Sequence, residues 1–307
     1  MKKIKSKDLI SVANLSEEEI YRIFKLTKKL KKKKNHKKYL KGKILGLIFE
    51  KPSTRTRVSF EAGIYQLGGI GLYLNRNDLQ LGRGETIKDT AIVLSRYLNG
   101  IIIRAFSHQM VLELAKYASI PVINALTDLL HPCQAISDFF TIYEYKKNFK
   151  NIKIAYIGDG NNVANSLTIT TSKLGGKIFL ASPKGYFINE EIYKLALEFS
   201  KKSNAEIILT DNPEEAAKDA DVLYTDVWVS MGQENEKEVR YKIFKNYQIN
   251  EKIIKMAKKD VIVMHCLPAH RGEEITDEVM DGPNSVVFDQ AENRLHSQKA
   301  ILTLLIP

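Results

Sequence analysis

The chain has 307 residues, 44% of them hydrophobic. That is enough apolar material for two buried cores and too much for a disordered protein. No run approaches the ~20 apolar residues of a membrane span, and the N-terminal lysines lack the apolar stretch of a secretory signal, so a cytoplasmic protein with no membrane partner is expected.

The net charge of +11 is local. Residues 1–43 hold sixteen Lys and Arg against four Asp and Glu, a net of +12, and the remainder nets −1. Within this region Leu26 and Leu30 recur at helical spacing, which predicts a surface helix with one apolar stripe and a solvated lysine face. Nucleic-acid binders more often mix arginine and aromatic residues through a basic surface, so no nucleic-acid partner is expected. Two widely separated cysteines, Cys133 and Cys266, do not read as a disulfide framework.

Along the chain, strand-like apolar runs alternate with helical patterns. Strands are predicted at 44–50, 70–74, 100–104, 121–125, 152–157, 177–181, 205–209, 222–226, 261–264 and 285–289. Short apolar strands separated by helices predict an α/β fold with parallel sheets covered on both faces. Ten strands exceed what one domain of this type usually needs, so two doubly wound parallel-sheet domains are predicted. The helix from about Pro132 to Lys147 marks the boundary. The first domain is placed at 1–142, with the terminal helix 291–307 packing back on it, and the second at 143–290.

Ligands of open α/β sheets bind beyond the carboxyl ends of the strands. Ser53-Thr54-Arg55-Thr56-Arg57 follows the first strand and opens a helix, where free N–H groups and the helix dipole favour an anion. An ordinary capped helix with solvated arginines is the competing reading. Arg104 closes the Ile101–Ile103 strand, and its planar fork suits a phosphate or a carbonyl. His131-Pro132-Cys133-Gln134 opens a helix that presents a ring and an amide one turn apart. Gly158-Asp159-Gly160-Asn161-Asn162-Val163 resembles a dinucleotide fingerprint, but Val163 replaces the third glycine and no acidic residue ends the next strand. Asn161 and Asn162 offer side-chain amides there instead. Asp226 ends a strand and can pair with an ammonium group, with Ser230 and Met231 in the loop after it. His265 and Cys266 follow the 261–264 strand. With His131 and Cys133 they raise a zinc reading, which lacks zinc-ligand spacing, and a Cys–His nucleophile reading, which sequence proximity does not establish. Gln290–Arg294 is the last strand-end cluster. Clusters drawn from both halves of the chain predict a cleft between two domains.

Taken together, Ser53-Thr54-Arg55-Thr56-Arg57, His131-Pro132-Cys133-Gln134, Asp226…Ser230-Met231-Gly232 and His265-Cys266-Leu267-Pro268 resemble the signatures of the aspartate/ornithine carbamoyltransferase family, in order and over essentially the whole chain. The Ser-Met-Gly and His-Cys-Leu-Pro segments mark its ornithine branch. The resemblance implies two domains joined by two helices, a homotrimer with active sites at subunit contacts, and no cofactor; without zinc-ligand spacing, no metal is expected either. It implies carbamoyl transfer from carbamoyl phosphate to the δ-amine of L-ornithine, giving citrulline, in arginine biosynthesis or degradation. By the same resemblance Ser53, Thr54, Arg55 and Thr56 bind phosphate. Arg104, His131 and Gln134 hold the carbamoyl group, completed by the backbone at Cys266–Leu267, by Arg294 and by Gln80 from a neighbouring subunit. Asn162, Asp226, Ser230 and Met231 bind ornithine, and Arg55, Arg104, His131 and Cys266 carry the chemistry. The first domain is then the carbamoyl-phosphate domain and the second the ornithine domain. Putrescine or N-acetylornithine is the alternative acceptor within the class. A non-catalytic basic binding module is the alternative outside it.

Overall fold

The computed structural model describes residues 3–32, 37–80, 84–230 and 232–307. In chain order it forms α1 (Glu17–Lys32), β1 (Ile44–Phe49), α2 (Thr54–Gln66), β2 (Ile70–Asn75), α3 (Ile87–Tyr97), β3 (Gly100–Arg104), α4 (His108–Tyr117) and β4 (Val122–Leu126). Then come α5 (Pro132–Lys146), β5 (Lys153–Ile157), α6 (Asn162–Leu174), β6 (Lys177–Ala181), α7 (Glu190–Ser203), β7 (Glu206–Thr210), α8 (Pro213–Ala217) and β8 (Val222–Thr225). The chain ends with α9 (Lys237–Phe244), α10 (Glu251–Met256), β9 (Ile262–His265), α11 (Asp277–Met280) and α12 (Val287–Leu305).

The described residues divide into two compact units. One comprises Met1–Phe140 with Glu292–Pro307, the other Thr141–Ala291. The chain passes from one unit to the other within α5 and again within α12. Each unit carries one parallel sheet, ordered β2-β1-β3-β4 in the first and β7-β6-β5-β8-β9 in the second. Central strands are buried on both faces, as their unbroken apolar runs require: every residue of β3 is buried, and every residue of β1 after Ile44. β2 lies at a sheet edge and leaves Ile70 and Leu72 exposed.

Both sheets reverse their strand order. In the first sheet the reversal falls between β1 and β3, so Phe49 pairs in register with Arg104 beside the Ser53–Thr56 turn. In the second it falls between β5 and β8, beside Gly158–Asn162 and Asp226. These are the switch points at which open α/β sheets hold ligands.

Local sequence explains most helix starts. Ser53, Thr86, Ser107, Asn161, Asn189, Asn212 and Asn250 each accept backbone N–H bonds as N-caps. α1 buries Leu26 and Leu30 and turns Lys25, Lys28, Lys29 and Lys32 outward, the predicted stripe and lysine face. Lys33 and Lys34 lie outside the described residues.

One predicted strand is absent. Residues 285–289 make a single bridge, Ser285 to Val263, and from Val287 the chain is already α12. The Val286 N–H still donates to the Val263 carbonyl, and the Val286 carbonyl then accepts from Gln290 as a helical bond. Gln290–Arg294 is therefore a helical segment, not a strand-end cluster. Asp226 follows β8 rather than ending it.

Candidate active site

In the first unit the Ser53–Thr56 turn is preset by its own sequence. Ser53 is extended (φ −164°), and its hydroxyl accepts the Thr56 N–H at 3.2 Å. Thr54 is exposed and Arg55 half-buried. Among the described residues the Arg55 guanidinium has no hydrogen-bond or ion-pair partner, so it and the helix N-terminus are available to an anion. Arg57 points elsewhere: it pairs with Glu61 at 3.3 Å and stacks 3.5 Å over the Tyr73 ring. Thr56 is buried, and its hydroxyl accepts from Arg294 Nη2 at 3.1 Å. Arg294 Nη1 donates to the Gln134 amide oxygen, and Gln134 Nε2 donates to Asp138 at 2.8 Å. One guanidinium thus ties α2, α5 and α12 together.

Arg104 and His131 are buried in the same unit. Burial, with Arg294 and Arg104 adding like-charge repulsion, holds the His131 imidazole well below its usual pKa. That direction favours the neutral imidazole at physiological pH. Cys133 is buried, donates to the Asn124 carbonyl at 3.3 Å, and burial pushes its thiol up to about 12. It is a core residue. Gln80, just before residues 81–83 that lie outside the described set, is exposed.

The second unit centres on Asp226. Its Oδ1 accepts from the Val227 N–H and the Cys266 thiol, both at 2.9 Å, and its Oδ2 accepts from Asn161 Nδ2 at 2.7 Å. Asn161 cannot turn its amide over, because its oxygen caps α6 through Val163 and Ala164. Its neighbour Asn162 is the first residue of α6 and half-buried. Ser230 exchanges hydrogen bonds with Gln233 in the loop after Asp226, and Met231 lies outside the described residues.

Cys266 and Leu267 are set by a buried pair. Leu267 adopts a left-handed backbone (φ 59°), which costs a non-glycine residue of order 1–3 kcal/mol. Its N–H donates to His265 Nδ1 at 2.9 Å, and His265 Nε2 meets Glu274 at 2.9 Å with both side chains fully buried. This network assigns the proton to Nε2. Asp226, His265 and Cys266 bring ligand-type atoms within 4.8 Å of one another. Both imidazole nitrogens of His265 are engaged, which leaves no ring lone pair for zinc.

Glycines in the fingerprint-like turn have a packing reason. A Cβ at Gly160 would overlap the backbone of Phe187 and Ile188, and Gly158 sits at φ +145°. Glu274 and Asp138 were not singled out by the sequence, whereas Asn161, at a helix N-cap after a strand, was expected there as a side-chain amide and proves to hold Asp226.

Fold and site together define a two-domain α/β protein, with a guanidinium-rich helix end in one unit and an anchored carboxylate in the other, each at a sheet switch point. Family models for the carbamoyl-phosphate-binding and Asp/Orn-binding domains of aspartate/ornithine carbamoyltransferases match residues 7–144 and 150–305. The ornithine carbamoyltransferase of Caldicellulosiruptor saccharolyticus is 58% identical over 299 residues, covering 96% of this chain and 97% of the relative. That of Thermococcus kodakarensis is 55% identical over 303 residues, 98% of this chain and 96% of the relative. The solved ornithine carbamoyltransferase of Pyrococcus furiosus is 54% identical and superposes with a TM-score of 0.94, covering 97% of this chain and 96% of that one. The chain belongs to the aspartate/ornithine carbamoyltransferase family.

Proposed function

We propose that this chain is an enzyme that transfers the carbamoyl group of carbamoyl phosphate to the δ-amine of L-ornithine, giving L-citrulline and phosphate. The observation that carries the reading is Asp226, a buried carboxylate held by Asn161, Cys266 and its own loop, in a chain 55–58% identical to relatives named ornithine carbamoyltransferase. An acceptor with an α-ammonium group gives that carboxylate a partner. Putrescine has no α-carbon substituents, and N-acetylornithine has lost the charge at its α-nitrogen, so neither is favoured.

Each residue role has a chemical reason. Ser53, Thr54, Arg55 and Thr56 hold the phosphate at the α2 N-terminus. Arg104, His131, Gln134 and Arg294 hold the carbamoyl group, Gln134 and Arg294 exchanging their mutual bond for bonds to ligand. The backbone of Cys266 and Leu267 is assigned to the same group on the resemblance of its motif. Asn162, Asp226, Ser230 and Met231 bind ornithine. A lysine-like amine has a pKa near ~10, so freeing its nucleophilic form at neutral pH costs about 4 kcal/mol. The neutral amine attacks the carbamoyl carbon, the carbon–oxygen bond breaks with its electron pair leaving on the phosphate, and the proton shed by the nitrogen is balanced by the released phosphate. Negative charge that develops on the carbamoyl oxygen is met by Thr56, Arg104 and neutral His131, a stabilisation often worth several kcal/mol. Cys266, whose thiol touches Asp226, lies on the ornithine side.

A homotrimer, with Gln80 contributed to a neighbouring copy's site, is part of the proposal. Its support is the apolar surface of the first unit: Val58, Tyr65, Ile70, Leu72 and Tyr97 are all more than 40% exposed, and Ile70 and Leu72 lie on an edge strand. A colorimetric citrulline assay with ornithine, putrescine and N-acetylornithine side by side tests the function. Faster turnover of either alternative amine would overturn it.

A further inference from the structure

The loop after Asp226 is tied down by one side chain outside the residues already assigned. Arg240, on α9, is buried to 7% side-chain exposure. Its Nη1 donates to Asp159 Oδ2 at 3.0 Å and to the Trp228 carbonyl at 3.1 Å, and its Nε donates to Glu236 at 2.7 Å. Asp159 follows β5, and Trp228 lies two residues beyond Asp226. The guanidinium therefore joins both strand ends that flank the switch point of the second sheet.

Both ties lead to Asp226. The Asn161 N–H donates to the Asp159 carbonyl at 2.7 Å, and the Tyr156 hydroxyl donates to that carbonyl at 2.8 Å. The Asn161 side chain in turn holds Asp226. On the other side, the Trp228 indole packs against Phe244 and Tyr241 of α9, with ring centroids 6.1 and 5.7 Å away. A buried cation with two carboxylate partners and a backbone carbonyl costs desolvation that only good geometry offsets. Burial raises the Asp159 carboxyl to about 6 even with Arg240 beside it.

We propose that Arg240 is the positioning residue of the acceptor-amine site: by clamping Asp159 and Trp228 it sets Asp226 and the Ser230 loop in their ligand-binding arrangement, without touching substrate. This rests on the assignment of Asp226 and Ser230 to ornithine.

Arg240→Met, Arg240→Lys and Asp159→Asn test it, with both substrates varied and tryptophan emission recorded without ligand. Trp228 is the only tryptophan, so its emission reports this loop alone. Loss of the charge-assisted bonds of the clamp should raise the ornithine KM about tenfold or more in Arg240→Met. The KM for carbamoyl phosphate should stay within about twofold, Trp228 emission should shift to the red, and Arg240→Lys should fall between Met and wild type. If Arg240→Met does not fold, Asp159→Asn, which keeps the side-chain shape, gives the same comparison. Unchanged ornithine KM, or equal rises in both KM values with wild-type emission, would overturn the clamp. Wild-type protein that makes no citrulline would overturn the ornithine reading instead, and the emission of the variants would still decide whether Arg240 holds the loop.

Discussion

Replacing Asp226 by Asn removes one charge and almost no volume, so it isolates the hydrogen bonding and charge of this one carboxylate. The native side chain accepts from three donors, two on Oδ1 and one on Oδ2. An asparagine has one acceptor oxygen. If that oxygen faces Val227 and Cys266, its NH2 meets the NH2 of Asn161, which cannot flip without giving up the α6 cap. If it faces Asn161, its NH2 meets the Val227 N–H and the thiol. Either orientation strands at least one buried donor, costing about 1–3 kcal/mol of stability. The substrate ammonium also loses a charged partner, roughly 1.5–3 kcal/mol, or about 10- to 150-fold in kcat/KM for ornithine. Steady-state citrulline formation with each substrate varied, together with a thermal melt, reads both effects. A kcat/KM for ornithine within about twofold of wild type, or an equal loss with respect to carbamoyl phosphate, would refute the assignment of Asp226 to the amine substrate.

Arg55→Gly is expected to fold normally, since the Arg55 guanidinium has no hydrogen-bond or ion-pair partner among the described residues, and to lose turnover. Full activity in that variant would remove Arg55 from the phosphate site. A thiol reagent should modify half-buried Cys266 in the native chain and reach Cys133 only after denaturation, because Cys133 is fully buried and its thiol is pushed up to about 12. Rapid native labelling of both cysteines would contradict this. His131 is held neutral in the fold, whereas its unfolded counterpart takes up a proton below about 6.5. Its contribution to stability is complete above that pH and is lost as the pH falls toward the depressed folded value. Wild type should thus lose stability on acidification more steeply than His131→Asn, measured as melting temperature against pH, and parallel curves would refute the argument.

Several features of this protein were determined by local sequence. The Ser53 cap and the arginine after it come from residue types at the end of an apolar run, because a helix N-terminus attracts an anion wherever it forms. Arg104 sits at the end of β3 because Ile101–Ile103 can only be a buried strand. Asp226 and Cys266 come after β8 and β9 for the same reason. What the tertiary structure alone decided lies between distant residues. The Val286-Val287-Phe288 run has the β-branched and aromatic composition of a strand. After the single Val286 N–H bond to Val263, however, Val287 and Phe288 pair with no strand among the described residues: Val287 is buried in the second core while Phe288 is exposed, and the backbone satisfies itself as α12. That outcome places Arg294 on a helix, where it meets Thr56 and Gln134, positions far away in the chain. Asn161 reaches Asp226, and Arg240 reaches Asp159, only because β5 and β8 pair side by side. Residue spacing encodes the period of an element and the chemistry at its ends. Which ends meet is set by strand order, and strand order is fixed by how the apolar faces of the whole chain are buried.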